Sequence, residues 1–185
     1  MTKYKIIYAD PPWQYDDQLS HHGGSASSHY DTMSTYEISR LPIEKLADEE
    51  CTLFLWGTWP NLPDCLEVMK SWGFEYVTIG FVWVKQYSNG KWVLGMGKFT
   101  RGNTEFCLIG RKGKPKRIND SISQLEVTQQ TEHSEKPDIF RKRIIELMGD
   151  LPRIELFART RIHGWDVFGN DSKLTELQPL EAFSK

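Results

Sequence analysis

An apolar run that stops on two consecutive prolines, KIIYADPPW (5–13), leaves the start of this chain little choice. Residues 5–9 are the pattern of a buried strand. Proline fixes φ and donates no backbone hydrogen bond, so Pro11 and Pro12 end the strand in a stiff turn. Asp10 lies on the near side of that turn and Trp13 on its far side. Further apolar runs predict strands over 51–57, 76–85, 104–110 and 153–158, with a weaker one near 125–129. Between them, 62–73 predicts a helix, with Leu62, Leu66, Met69 and Trp72 at helical spacing and Gly73 as its stop. A second helix is predicted over 136–149, with Pro137 in its first turn and Ile144 and Met148 on one face. Residues 34–48 predict two short helical pieces broken at Pro42. The segment 164–171 closes the core, and no internal repeat is present. Strands alternating with helices define an α/β class with a largely parallel sheet. In such sheets ligands sit at the carboxyl ends of strands. Three such places carry chemistry: Asp10, Arg101 to Glu105, and Arg159 to Arg161.

At 185 residues the chain suits one domain. Residues 16–32 are rich in Gly, Ser and His, too long and polar for an ordinary connection, and predict a mobile lid. Cys51, Cys65 and Cys107 lack paired spacing and read as buried free thiols of a reducing compartment. No apolar run is long enough to cross a bilayer and no signal peptide opens the chain, so the expectation is a soluble, cytoplasmic protein without a membrane partner.

Net charge is −2, but it is unevenly spread. From Lys85 to Arg117 there are nine basic residues (Lys85, Lys91, Lys98, Arg101, Arg111, Lys112, Lys114, Lys116, Arg117) and one acid, Glu105, a balance of +8. The rest of the chain carries −10. Such asymmetry marks a polyanion-binding face, or alternatively a solvated loop.

The DPPW turn itself has two readings. One is a strand-terminating turn with an exposed acid. The other is a pocket for a flat, amine-bearing ring: the Asp10 carboxylate and a free Pro11 carbonyl accept from an NH₂ group, and Trp13 offers a stacking face.

ADPPW resembles the catalytic motif of amino-methyltransferases that use S-adenosylmethionine, and its tryptophan form points to the MT-A70 family of N6-adenine methyltransferases. HYDTMSTYEISRLPI, LFLWGTWPNLPDCLEVMKSWGFEYVTIGFVWVK, HSEKPDIF and IELFARTRIHGWDVFGN resemble further family segments, in the family's order, over about residues 5–171. The resemblance implies a Rossmann-like class I methyltransferase: α/β, mostly parallel sheet flanked by helices. It also implies permuted motif order, with the target-amine motif first and the cofactor strand last. It makes 1–171 the methyltransferase domain and 172–185 a polar tail.

Carried over residue by residue, the resemblance implies catalytic roles for Asp10, Pro11, Pro12 and Trp13. Asp10, Lys136, Phe157, Arg159, Arg161, Asn170 and Asp171 would contact the cofactor. Tyr30, Lys98, Arg101, Asn103, Glu105, Arg111, Lys112, Lys114, Lys116 and Arg117 would contact the substrate. No metal is implied: His21, His22 and His29 with Asp16 and Asp17 fit no common ligand spacing. The partner is nucleic acid, DNA ahead of RNA, with cytosine N4 as a third target. A homodimer, a heterodimer with a related subunit, and an inactive nucleic-acid-binding subunit stay open.

Overall fold

A computed structural model describes residues 3–14, 32–95, 97, 99–129 and 135–169. All of the expected lid over 16–32 except Thr32, its histidines included, and the tail 172–185 lie outside the described residues. Seven strands form one sheet: β1 (Tyr4–Ala9), β2 (Ala47–Gly57), β3 (Glu75–Gln86), β4 (Thr104–Lys112), β5 (Leu125–Gln129), β6 (Arg153–Leu156) and β7 (Asp166–Phe168). Their order across the sheet is β5-β3-β4-β2-β1-β6-β7. The helices are α1 (Thr35–Ser39), α2 (Leu62–Ser71) and α3 (Ile139–Met148).

β1 pairs in parallel with β2 and β6, as do β3 with β5 and β6 with β7. β4 runs antiparallel to both its neighbours, β2 and β3. The expected largely parallel sheet is therefore mixed, with one reversed strand in its interior. The connection from β3 to β4 explains this. It is glycine-rich and carries no helical period, so it makes a hairpin-type return rather than a helical crossover.

Alternation along the strands sorts the core into two layers. Ile7, Ala9, Leu53, Leu55, Phe106 and Leu108 pack with α1 and α2 on one face. Ile6, Tyr8, Phe54, Trp56, Phe81 and Trp83 pack with Phe140, Ile144 and Met148 of α3 on the other. α1 begins with a capping box: Ser34 Oγ accepts from the Glu37 N–H, and Glu37 accepts from the Ser34 N–H at 2.8 Å. The second piece expected before residue 48 is only a 3₁₀ turn, Ile43–Lys45, because β2 already starts at Ala47. The buried stripe of α2 is Cys65, Val68 and Met69, continued by Trp72. Leu66, expected in the core, is 38% exposed, because the small Cys65 holds the inward position. Gly73 stops the helix with φ 80°. α3 starts two residues after Pro137 rather than around it, and β6 ends at Leu156.

Gly57 closes β2 beneath α2. A Cβ there would lie 2.4 Å from Cys65 Sγ and 3.0 Å from the Phe106 ring. Both neighbours are fully buried. Gly57→Ala is therefore expected to overpack this layer and destabilise the fold by about 1–3 kcal/mol. The shift of the urea unfolding midpoint measures it, and an unchanged midpoint refutes it.

Candidate active site

The carboxyl ends of β1, β2, β3 and β6 and the start of β4 share one end of the sheet, which follows from the strand directions above. Four charged side chains meet there. Asp10 follows β1, Lys85 is near the end of β3, Glu105 opens β4, and Lys136 lies just before α3. Lys136 Nζ donates to Asp10 Oδ2 at 2.6 Å and lies 3.1 Å from Glu105 Oε2. Lys85 in turn pairs with Glu105 Oε1. The result is a line of alternating charge, Asp10–Lys136–Glu105–Lys85, in which each carboxylate has a cation beside it.

The Lys136 side chain is only 4% exposed, while that of Asp10 is 25% exposed and forms the outer end of the line. Burial disfavours the Lys136 cation, but Asp10 and Glu105 outweigh it and hold its pKa above the ordinary lysine value. Burial likewise acts against the Glu105 anion, yet Lys136 and Lys85 keep its carboxyl below the usual value. Asp10 is the exception. Burial raises its pKa, and Lys136 and Arg159 only partly offset that, with Glu105 adding repulsion.

The DPPW turn differs from the expectation in two respects. The Pro11 carbonyl is not free: the Trp13 N–H donates to it at 2.9 Å, closing a three-residue turn. One of its two lone pairs is thereby used. Trp13 is not a stacking face either. It is 5% exposed, its Nε1 donates to the Trp56 carbonyl at 2.9 Å, and it packs in the α1–α2 layer. A large apolar ring next to a strand end is better placed in the core than in water. The Met33 N–H donates to the Pro12 carbonyl at 2.8 Å, and the Gln14 N–H to the Met33 carbonyl at 3.0 Å, so the chain re-entering after residue 31 is tied to this turn.

Beside Asp10, Phe157 follows β6 with φ 62°, a left-handed conformation uncommon outside glycine. Strained backbone of this kind costs about 1–3 kcal/mol and clusters at functional sites. Arg159 is half-buried and close enough to act on the Asp10 carboxyl. Arg161 lies elsewhere. It borders a shallow cavity of about 450 Å³ over β6 and β7 with Tyr4, His163, Trp165 and Asp166, and neither Asp10 nor Lys136 borders that cavity. Tyr30, Lys98, Asn170 and Asp171 lie outside the described residues.

The expected basic face is divided. Lys85 is spent on Glu105 inside the site. Arg101 is turned onto its own loop, donating to the Gly95 and Leu94 carbonyls at 2.9 Å each, rather than lining the junction next to Asp10. Asn103 supports β3 through its backbone carbonyl, which accepts from the Lys85 N–H at 3.0 Å. Arg111 pairs with Glu75. Because β4 is reversed, Lys112 lies opposite Cys51 and leads away from the site. Gly113 sits against the Glu49 backbone and Ile118 donates to Leu147 at the far end of α3. Seven steps of strand lead from Glu105 to Lys112, roughly 24 Å. The cluster Lys112, Lys114, Lys116 and Arg117 thus belongs to the opposite end of the sheet.

Two supports were not anticipated from the sequence. Lys85 was counted there only as one of many basic residues. Its signal is that it closes one apolar run while Glu105 opens the next, the two ends of a single return. Arg141 of α3 is the other: its Nε and Nη2 donate to the two Glu155 carboxylate oxygens of β6, each at 2.7 Å. That bidentate clamp fixes the start of α3, and with it Lys136, against the sheet.

The MT-A70 family model matches residues 4–171. The chain is 35% identical over 185 residues to the Type II methyltransferase M.MunI of Mycoplasma sp, covering 90% of this chain and 77% of that one. It is 30% identical over 175 residues to the N(6)-adenosine-methyltransferase catalytic subunit METTL3 of Homo sapiens, covering 92% of this chain but 28% of that protein. It is 28% identical over 184 residues to the N(6)-adenine-specific methyltransferase METTL4 of Homo sapiens, covering 91% of this chain and 37% of the relative. The chain therefore spans most of one relative's length and well under half of the other two.

Proposed function

This chain belongs to the MT-A70 family and is an N6-adenine methyltransferase; from that premise we propose that it moves a methyl group from S-adenosylmethionine to adenine in DNA, with Asp10 as the residue that grips the amine. The observation that carries the reading is the 2.6 Å contact between Asp10 and Lys136, two residues 126 apart in sequence. The domain is taken as 1–171, a Rossmann-like fold with permuted order: the amine motif follows the first strand and the cofactor segments come late. DNA is supported by the match along most of a Type II methyltransferase's length.

The donor set suits the cofactor. Lys136 and Arg159 are cations for a carboxylate, and the Phe157–Arg159 backbone borders the same strand ends. Asn170 and Asp171 are proposed to contact the ribose and adenine, whereas Arg161, which borders the cavity over β6 and β7, is not placed in this site. When bound, the cofactor supplies an activated methyl group. The chain's residues do the rest. Adenine's amine is a poor nucleophile because its lone pair is delocalised into the ring. Lys136 occupies Oδ2 of Asp10, so Oδ1 accepts one amine hydrogen and the second lone pair of the Pro11 carbonyl accepts the other. The two acceptors draw the nitrogen toward tetrahedral geometry and aim its lone pair. Methyl transfer would leave the amine nitrogen positively charged. Asp10 stabilises that charge, and a proton then leaves to water. Tyr30 is assigned to the closing lid, and in a duplex the target base would flip out.

Only ionised Asp10 accepts the amine hydrogen. Because its pKa is raised by burial, activity is expected to increase as pH climbs through a value above the ordinary carboxylate range. A profile of kcat/KM against pH checks this; an acidic limb at or below that range contradicts it.

The deciding experiment incubates the protein with methyl-labelled cofactor and DNA or RNA oligonucleotides, single and double stranded, and identifies the modified base by mass spectrometry. N6-methyladenine in DNA is expected. Product in RNA alone would favour the second reading, an RNA enzyme, which the N6-adenosine relatives support. No product and no cofactor binding would mean an inactive subunit.

A further inference from the structure

The chain between β3 and β4 builds an arm whose root is the charged line itself, with Lys85 at one side and Glu105 at the other. Its surface is unusually aromatic for solvent. Phe99 is fully exposed, at 103% of its reference area, and Tyr87, Trp92 and Leu94 are about half exposed. No acid occurs between Lys85 and Glu105, whereas Lys91 and Arg101 do. Among the described basic residues of the 85–117 run, these two are the ones that extend from the reactive end of the sheet.

The arm is also held in shape. The Tyr87 N–H donates to the Lys91 carbonyl at 2.8 Å and the Val93 N–H to the Lys85 carbonyl at 3.0 Å. The Gly95 N–H donates to the Gly102 carbonyl at 2.6 Å, and Arg101 ties down the carbonyls of Leu94 and Gly95. The tip is closed so tightly that a Cβ on Gly97 would fall 2.0 Å from the Thr100 carbonyl oxygen. A large apolar ring kept in water on a braced turn has a free-energy cost that only a partner removes.

We propose that this arm is a base-stack wedge: Phe99 enters the duplex beside the target adenine, while Lys91 and Arg101 lie against flanking phosphates. The inference rests on the nucleic-acid reading above. Extracting a base forfeits stacking and pairing, and an apolar side chain inserted at the vacated step offsets part of that loss. Because the arm is already braced, little ordering remains to be done on binding. Its acid-free, basic and aromatic character complements phosphates and bases.

The test compares wild type, Phe99→Ala and Phe99→Trp, each as the full chain, on two DNA substrates. One is a duplex containing the methylated sequence. The other is the same duplex with the target adenine mispaired, which opens at lower cost. Phe99→Ala is expected to lose about tenfold or more in kcat/KM on the paired duplex and clearly less on the mispaired one, with cofactor affinity by calorimetry unchanged. Phe99→Trp is expected to retain the paired activity. Equal losses on both duplexes, or none, overturn the wedge. So does loss of self-association in Phe99→Ala by sedimentation without the paired-duplex defect, which would make the arm a contact between copies. A wild type that methylates no nucleic acid sinks the underlying reading and this inference together; an active wild type with an indifferent Phe99 sinks the wedge alone.

Discussion

Asp10→Asn is expected to lower kcat for methyl transfer by roughly 10²–10³-fold, or about 3–4 kcal/mol of transition-state stabilisation. The substitution keeps shape and volume. It removes the anion that faces the amine as positive charge develops on nitrogen. Asparagine still presents one acceptor oxygen, so orientation is partly preserved and the loss falls on the charge. Cofactor affinity should change little, because Lys136 remains paired with Glu105 at 3.1 Å and Arg159 stays beside the same strand ends. Rapid-quench turnover with labelled cofactor, paired with calorimetry of cofactor binding, separates the two quantities. Retention of near-normal kcat would remove Asp10 from the reaction.

The second large effect is expected at Lys136. Its ammonium stands between two carboxylates and is almost wholly buried. Lys136→Met takes away the shared cation and leaves Asp10 and Glu105 facing each other, with Lys85 on the far side of Glu105 and Arg159 acting on Asp10. Breaking a buried ion pair from one side typically costs about 3–5 kcal/mol, because an uncompensated charge is left behind. Two consequences follow. The fold should weaken, seen as a lower urea midpoint. Cofactor binding should also fall, since the group assigned to its carboxylate is gone. The double variant Lys136→Met with Glu105→Gln distinguishes the two roles: removing the stranded anion should recover much of the stability but none of the cofactor affinity. If stability and binding recover together, Lys136 is a structural cation only.

Much of this arrangement was legible along the chain. Apolar runs found β1, β2, β3, β4 and β6, because continuous apolar stretches of this length have few other uses, and the weaker pattern of 125–129 found the edge strand β5. Asp10 and Lys136 were both singled out, the first from the proline stop and the resemblance, the second from the resemblance alone. What failed was direction and depth. Reversal of β4 is a pairing choice, and no local pattern in TEFCLIG encodes it; yet that reversal decides that Glu105 joins the site while Lys112 and Arg117 do not. Trp13, at the far side of the proline turn, reads from the sequence as a stacking face of the pocket. Its real neighbours, Trp56 and the α1–α2 layer, come from distant segments. Pro11 carried a similar error: its carbonyl partner sits two residues ahead, in a turn whose closure depends on how the chain leaves the sheet.

The place of β1 in the sheet has a consequence for biogenesis. Ile6 pairs with Thr52 on one side and with Arg153 on the other. One edge of this strand finds its mate once β2 has been made, whereas the other waits until β6 has left the ribosome. During that interval β1 presents a bare row of amides and carbonyls, open to mispairing with other chains. Closing so remote a pairing is slow, and Asp10 hangs from that very segment, so no nascent or truncated fragment lacking β6 should ever be active.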